Sequence, residues 1–222
     1  MPALSSILPR LLAIAILAVA YVAMTIALTA GLFTTLDQQV AHTMHDAWQP
    51  GLHVLFQLIA ELGGVELTTI LMAGLFFYLL RGGFGSDAWV VLVFIAGNAL
   101  EFFYKFTLYH PGPPRSIAQT DGPSLTHGLL STTLFNSFPS GHVVRAVVVY
   151  GLLAFVVRRM APSHVARALA VPIAIAVIVL VTFDRIYLDV HWESDVIGGL
   201  ILGAIALLAG TVWLDRPIKP DN

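Results

Sequence analysis

Long apolar runs constrain this chain more than anything else in it. A helix needs roughly 20 mostly apolar residues to cross the hydrocarbon of a bilayer. The sequence offers five clear runs and one interrupted one, at about residues 11–33, 65–80, 88–106, 143–157, 165–183 and 196–214. The second and fourth are short, and their flanks can extend them. The first follows Arg10, as a signal peptide would. It is long, however, and no small-x-small cleavage site stands near its end, so it reads as a retained span. Composition points the same way. Only 11% of the 222 residues are charged and 58% are hydrophobic, against about 25% charged in a soluble domain. Such a chain cannot cover a water-facing surface. The expected fold is therefore all-α: one polytopic membrane domain spanning residues 1–222, with six transmembrane helices.

The cations set an orientation. Lys and Arg prefer cytoplasmic loops. Arg10, Arg81, Arg158, Arg159, Arg167, Arg216 and Lys219 all fall on one side of a six-span arrangement, which puts both termini in the cytoplasm. Lys105, Arg115, Arg145 and Arg185 fall at or near the other ends of the spans, against the rule. Cations there call for an anionic ligand. A net charge of −2 leaves no basic excess for nucleic acid, and the absence of cysteine excludes disulfides and thiolate metal sites.

Two outer segments separate the spans. Residues 38–64 hold His42, His45 and Trp48, then Leu52, Leu55, Phe56, Leu58 and Ile59 after Pro50. They read as a short amphipathic helix at the membrane interface, broken by Gly63-Gly64. Residues 107–138 are rich in Pro, Gly, Ser and Thr and read as loop.

Three polar clusters lie at that same face. The first is Lys105 with His110-Pro111-Gly112-Pro113-Pro114-Arg115. The second is Pro139-Ser140-Gly141-His142 at the start of the fourth span. The third is Asp184-Arg185, His191 and Asp195. Ser140 suits a helix N-cap and Gly141 lets a backbone approach a ligand, so the helix would aim free amides at an anion. Taken alone, this is as well explained by a plain capped helix with an interfacial His. His191 and Asp195, four apart, would share a helix face, where the carboxylate holds one imidazole nitrogen and aims the other. Arg185 can fork onto phosphate oxygens. A surface His–Asp pair is the bland alternative, but Trp192 and the apolar run from Val196 place the pair at the membrane boundary, where idle charge is costly. Glu101, one helical turn before Lys105, reads as an ion-pair partner that makes two buried charges tolerable or as the group that positions Lys105 for phosphate, and Asn98 as a helix–helix hydrogen bond. His110 is a candidate substrate contact. His42, His45 and His53 have no metal-ligand spacing, and His127 and His164 read as solvated.

These clusters resemble the type 2 phosphatidic acid phosphatase superfamily, whose pattern is Lys-x6-Arg-Pro, then Pro-Ser-Gly-His, then Ser-Arg-x5-His-x3-Asp. The middle motif is complete, and Arg185, His191 and Asp195 keep the family spacing. Gly112 replaces the Arg of the first motif, and Asp184 replaces the Ser of the third. The resemblance covers residues 105–195 by motif, and six spans match its membrane branch.

It implies a metal-independent lipid phosphatase without a cofactor, acting on a phosphomonoester or a diphosphate such as an isoprenoid diphosphate or phosphatidic acid. His191 would form a phosphohistidine, Asp195 would orient it, and His142 would serve the leaving oxygen and then water. Lys105, Ser140, Gly141 and Arg185 would hold the phosphate. Arg115 or Arg145 would stand in for the missing Arg. The expected location is a bacterial inner membrane with the site on its outer face. A lipid phosphotransferase and a catalytically weak lipid-phosphate binder are the alternatives, and nothing in the sequence addresses oligomeric state.

Overall fold

The computed structural model describes residues 4–114 and 136–216. Arg115, His127 and Lys219 lie outside them. The described residues are helical: α1 (Leu4–Thr29), α2 (Thr34–Ala47), a 3-10 turn (Pro50–Leu52), α3 (His53–Glu61), α4 (Val65–Arg81), the short α5 (Gly85–Ala88), α6 (Val91–Thr107), α7 (Gly141–Met160), α8 (His164–Tyr187) and α9 (Glu193–Leu214). They contain no β-sheet; one isolated bridge pairs Pro111 with Asn136. Five helical stretches are long and apolar enough to cross a membrane: Ile7–Thr29, Pro50–Arg81, Gly85–Thr107, His164–Tyr187 and Glu193–Leu214. The fourth expected run forms α7, which packs among them.

Burial separates α7 from α1. On α7, Val143, Val144, Ala146, Val148, Val149 and Leu152 are almost fully enclosed. It lies against α8 on one side and α9 on the other, with α4 and α6 completing the wall. A helix buried on every side belongs at the centre of a bundle. By contrast, α1 turns Leu12, Ile16, Val19 and Ile26 outward. Large apolar side chains exposed in this way need lipid rather than water.

Close helix approach rests on glycine. A Cβ on Gly199 would sit 2.7 Å from the Ser140 carbonyl oxygen, and one on Gly203 would sit 2.8 Å from Val147 Cβ. Small residues at these points let α9 pack backbone-close to α7, as membrane helices do where apolar contact with lipid gives no driving force.

The region between α1 and α4 differs from the sequence reading. Instead of one amphipathic helix, the chain builds two, α2 and α3, separated at Pro50. Proline lacks an N–H and is best tolerated in the first turn of a helix, and here Pro50 opens the 3-10 turn rather than continuing α2. The apolar α3 runs against α8, where Phe56 stacks on Tyr187 at 4.1 Å between ring centroids. The Gly63-Gly64 break is present for a packing reason. A Gly63 Cβ would meet the His142 carbonyl oxygen at 2.8 Å.

Candidate active site

Three segments meet at one end of the bundle. The end of α6 carries Asn98, Glu101 and Lys105 on one face, as a spacing of three to four residues requires. Glu101 is the hub. Its Oε1 lies 2.8 Å from Lys105 Nζ, and its Oε2 accepts from Arg145 Nη1 at 3.0 Å. Arg145 also donates from Nε to the Gly63 carbonyl at 2.9 Å and from Nη1 to Asn98 Oδ1 at 3.3 Å. Its Nη2 reaches to 3.5 Å from His142 Nδ1. Both Glu101 and Arg145 are buried, where a charge without a partner would be very costly. The interhelical hydrogen bond expected of Asn98 is present, and its partner is this arginine.

Ser140 occupies the N-cap position of α7, but its side chain makes no cap hydrogen bond. Its amide donates to the Asp195 carbonyl at 3.0 Å. The buried Oγ has no hydrogen-bond partner among the described residues. The residue that Gly141 lets approach is Glu101, because a Cβ at Gly141 would lie 1.9 Å from Glu101 Oε1.

The third segment links α8 to α9. Arg185 and Asp184 are both fully buried, and Arg185 Nε donates to Asp184 Oδ2 at 2.7 Å. The carboxylate that replaces the family's serine thus turns onto the neighbouring guanidinium. The chain then reverses through Asp189, which has a φ of +53°. Asp is among the few non-glycine residues that tolerate this conformation. His191 follows in the turn, two residues before α9 begins. His191 and Asp195 therefore do not share a helix face. Asp195 reaches back from the first turn of α9, and its Oδ2 takes the Trp192 amide at 2.9 Å and stands 3.3 Å from His191 Nδ1. Its Oδ1 lies 3.4 Å from His110 Nε2. His110 therefore faces the Asp195 carboxylate. Across the cluster, His142 lies within electrostatic range of Arg185, Arg145, His191 and Lys105.

Two supporting residues escape the sequence reading. Asp37 on α2 is buried and accepts from the Ser194 amide at 2.9 Å and the Ser194 hydroxyl at 2.8 Å. It caps α9 next to the His191–Asp195 pair. It is the first acidic residue of the chain, set just past the first span, and that isolation was a usable signal. Asn136 accepts from the His110 amide and donates to the Lys105 carbonyl, both at 2.8 Å, tying the first cluster to the second. Gly112, where the family has Arg, lies beside Ser137; a Cβ there would make an ordinary 3.4 Å contact with Ser137 Cβ.

Three imidazoles, a lysine and two arginines at one end of a lipid-facing helical bundle suit a phosphate carried on a membrane-bound molecule. The class is an integral membrane lipid phosphatase. Residues 86–219 match the pattern of the PAP2 superfamily, and the chain belongs to that superfamily. It is 31% identical over 166 residues to phosphatidylglycerophosphatase B of Bacillus subtilis (strain 168), covering 71% of this chain and 72% of that one. It is 30% identical over 134 residues, 59% of this chain and 61% of the other, to a protein of Escherichia coli (strain K12) provisionally named undecaprenyl-diphosphatase YbjG. A crystal structure of a transmembrane PAP2-type phosphatidylglycerolphosphate phosphatase from Bacillus subtilis superposes with a TM-score of 0.72 at 25% identity, over 93% of this chain and 98% of that one.

Proposed function

We propose that this chain hydrolyses a lipid phosphomonoester or diphosphate through a phosphohistidine on His191. The observation that carries this reading is Asp195 Oδ2 at 3.3 Å from His191 Nδ1. That contact keeps the proton on Nδ1 and leaves Nε2 with its lone pair. In the first step Nε2 bonds to the terminal phosphorus and the bond from that phosphorus to the leaving oxygen breaks, the lipid alcohol oxygen of a monoester or the bridging oxygen of a diphosphate. His142 gives its proton to that oxygen. In the second step His142 takes a proton from water, the water oxygen bonds to phosphorus, the N–P bond breaks and inorganic phosphate leaves.

Lys105, Arg185, the Ser140 hydroxyl and the Gly141 amide hold the phosphate oxygens. The unpartnered Ser140 Oγ supports this assignment. Arg145 is engaged by Glu101 and keeps one guanidinium edge toward His142, so it adds positive potential beside the acid. Fixed cations and amides stabilise the developing charge without a metal. Six helices span the membrane in this reading, with α7 the fourth. Arg10, Arg159 and Arg216 gather near Asp215 and Asp87 at the end away from the site, which the positive-inside rule places in the cytoplasm.

The test is a phosphate-release assay over phosphatidylglycerophosphate, phosphatidic acid and undecaprenyl diphosphate, in EDTA, with rapid quenching of 32P-labelled substrate. Wild-type protein should turn over unchanged in chelator and carry label on His191. His191→Ala should lose about 10⁴-fold or more in turnover and carry none. Label retained by that variant would refute the nucleophile.

A further inference from the structure

The end of the bundle opposite the catalytic cluster holds a cavity of about 680 Å³ between α1, α7, α8 and α9. Its walls are apolar: Ala154, Val171, Ala174, Ile175, Ile178 and Leu207 line it. Its rim is basic. Among the described residues Arg10, Arg158 and Arg159 stand there with one acid, Asp215, for a formal balance of three minus one, or +2. Arg10 and Arg159 both lean on Asp215, at 2.6 and 3.7 Å, and each also donates from Nη1 to a backbone carbonyl, of Thr211 and Leu214, which leaves their other guanidinium nitrogens for a ligand. Arg158 is exposed and has no hydrogen-bond or ion-pair partner among the described residues. One carboxylate cannot neutralise three guanidinia, so the rim offers donors to an outside anion.

We infer that this cavity binds one anionic phospholipid, its phosphate at Arg158 and Arg159 and an acyl chain between α7 and α8. Three observations select that occupant. The apolar wall includes Ile175, which is 56% exposed on the outer surface of α8, so the cavity opens sideways into the bilayer and not only into water. The polar groups lie at the helix ends alone, at headgroup depth. The volume falls within the range of about 300–1,000 Å³ typical of ligand pockets, and basic pockets between membrane helices take anionic headgroups. The site is independent of the phosphoryl chemistry, since it shares no residue with the catalytic cluster and lies at the other face of the membrane.

The experiment is native mass spectrometry of detergent-released full-length protein titrated with dioleoyl phosphatidylglycerol or dioleoyl phosphatidylcholine. Phosphatidylglycerol should bind with a one-to-one component at least tenfold tighter than phosphatidylcholine. Each arginine near a lipid headgroup is worth about fivefold in affinity, so Arg158→Glu should weaken that component by roughly 25-fold. Ala174→Trp keeps every charge and fills the cavity, and should remove the component. His191→Ala should retain it. Equal binding of the two lipids, or unchanged phosphatidylglycerol affinity in both Arg158→Glu and Ala174→Trp, would overturn the proposal. So would displacement of the lipid by 10 mM inorganic phosphate matched in ionic strength with chloride, since that would mark a site for free phosphate.

Discussion

The two ends of this bundle use the same residue type under opposite conditions. At the catalytic end, the side chains of Arg145 and Arg185 are 5% and 1% exposed. Each is matched to a buried carboxylate, Glu101 or Asp184. At the far end, those of Arg10 and Arg159 are 27% and 43% exposed and share Asp215. Burial sets the role. A desolvated arginine must be tied down by a carboxylate and backbone oxygens, and it becomes a rigid part with fixed geometry. A part-exposed arginine keeps some of its hydration, so its ion pairs are weaker even where, like Arg10 and Arg159, it also donates to a backbone carbonyl. Phosphoryl transfer benefits from the first condition, because cations that need not reorganise stabilise the transition state best. Recognition of a passing headgroup needs only the second.

Substitutions at the two ends should therefore separate by size. Glu101→Gln should have the largest effect on stability, about 3–5 kcal/mol, because it strands Arg145 in a buried site and loosens Lys105. Thermal unfolding in detergent measures it. Adding Arg145→Met should recover part of the loss, since neither charge is then left unpaired; a double variant as unstable as the sum of the singles would break the account of Glu101 as hub.

Asp184→Asn comes next. It removes a charged hydrogen-bond partner of a fully buried guanidinium, at about 1.5–3 kcal/mol. Under the phosphate-binding role proposed for Arg185, KM should rise more than kcat falls, because the guanidinium loses its aim at the ground-state phosphate as well as at the transition state. A fall in kcat with KM unchanged would point to a role in chemistry instead.

Asp37→Asn is smaller, about 1–2 kcal/mol, the size of a lost helix cap. It also has a pH signature. Burial pushes the Asp37 carboxyl above its ordinary value of 3.8, although the Ser194 amide and hydroxyl pull it back part of the way. The folded state then holds this proton more tightly than the unfolded chain does. Its contribution is fully present below 3.8 and is lost as pH rises through the folded value. The Asn variant, which cannot titrate, should lack that slope in denaturation curves taken upward from pH 3.8. An identical slope in both proteins would assign it to another group.

Asp215→Asn is the smallest, about 1 kcal/mol, because the arginines it pairs with are part-exposed, unlike those at the other end. If it destabilised the protein as much as Glu101→Gln, the contrast between the two ends would fail.

Much of this was legible in the order of residues. Apolar runs become helices because a backbone in lipid must satisfy its own hydrogen bonds, and the run at residues 65–80 corresponds to α4, Val65–Arg81. The Glu101–Lys105 pair followed from the helical repeat alone. The Pro-Ser-Gly-His word and the spacing from Arg185 to Asp195 pointed to the family and to one face of the membrane. Local periodicity and motif spacing survive in one dimension, so these features could be read without coordinates.

The remaining features depended on contacts between distant parts of the chain. Asp37 meets Ser194 across 157 positions, and Arg145 meets the Gly63 carbonyl across 82; no periodicity encodes either. Gly141 reads as room for a ligand, yet its missing Cβ makes room for Glu101. His191 and Asp195 have the spacing of a helix face, yet meet through a turn, because α9 begins only at Glu193. Which residues face lipid and which face each other was decided by packing, since an apolar side chain satisfies either surroundings equally well and its identity does not choose between them.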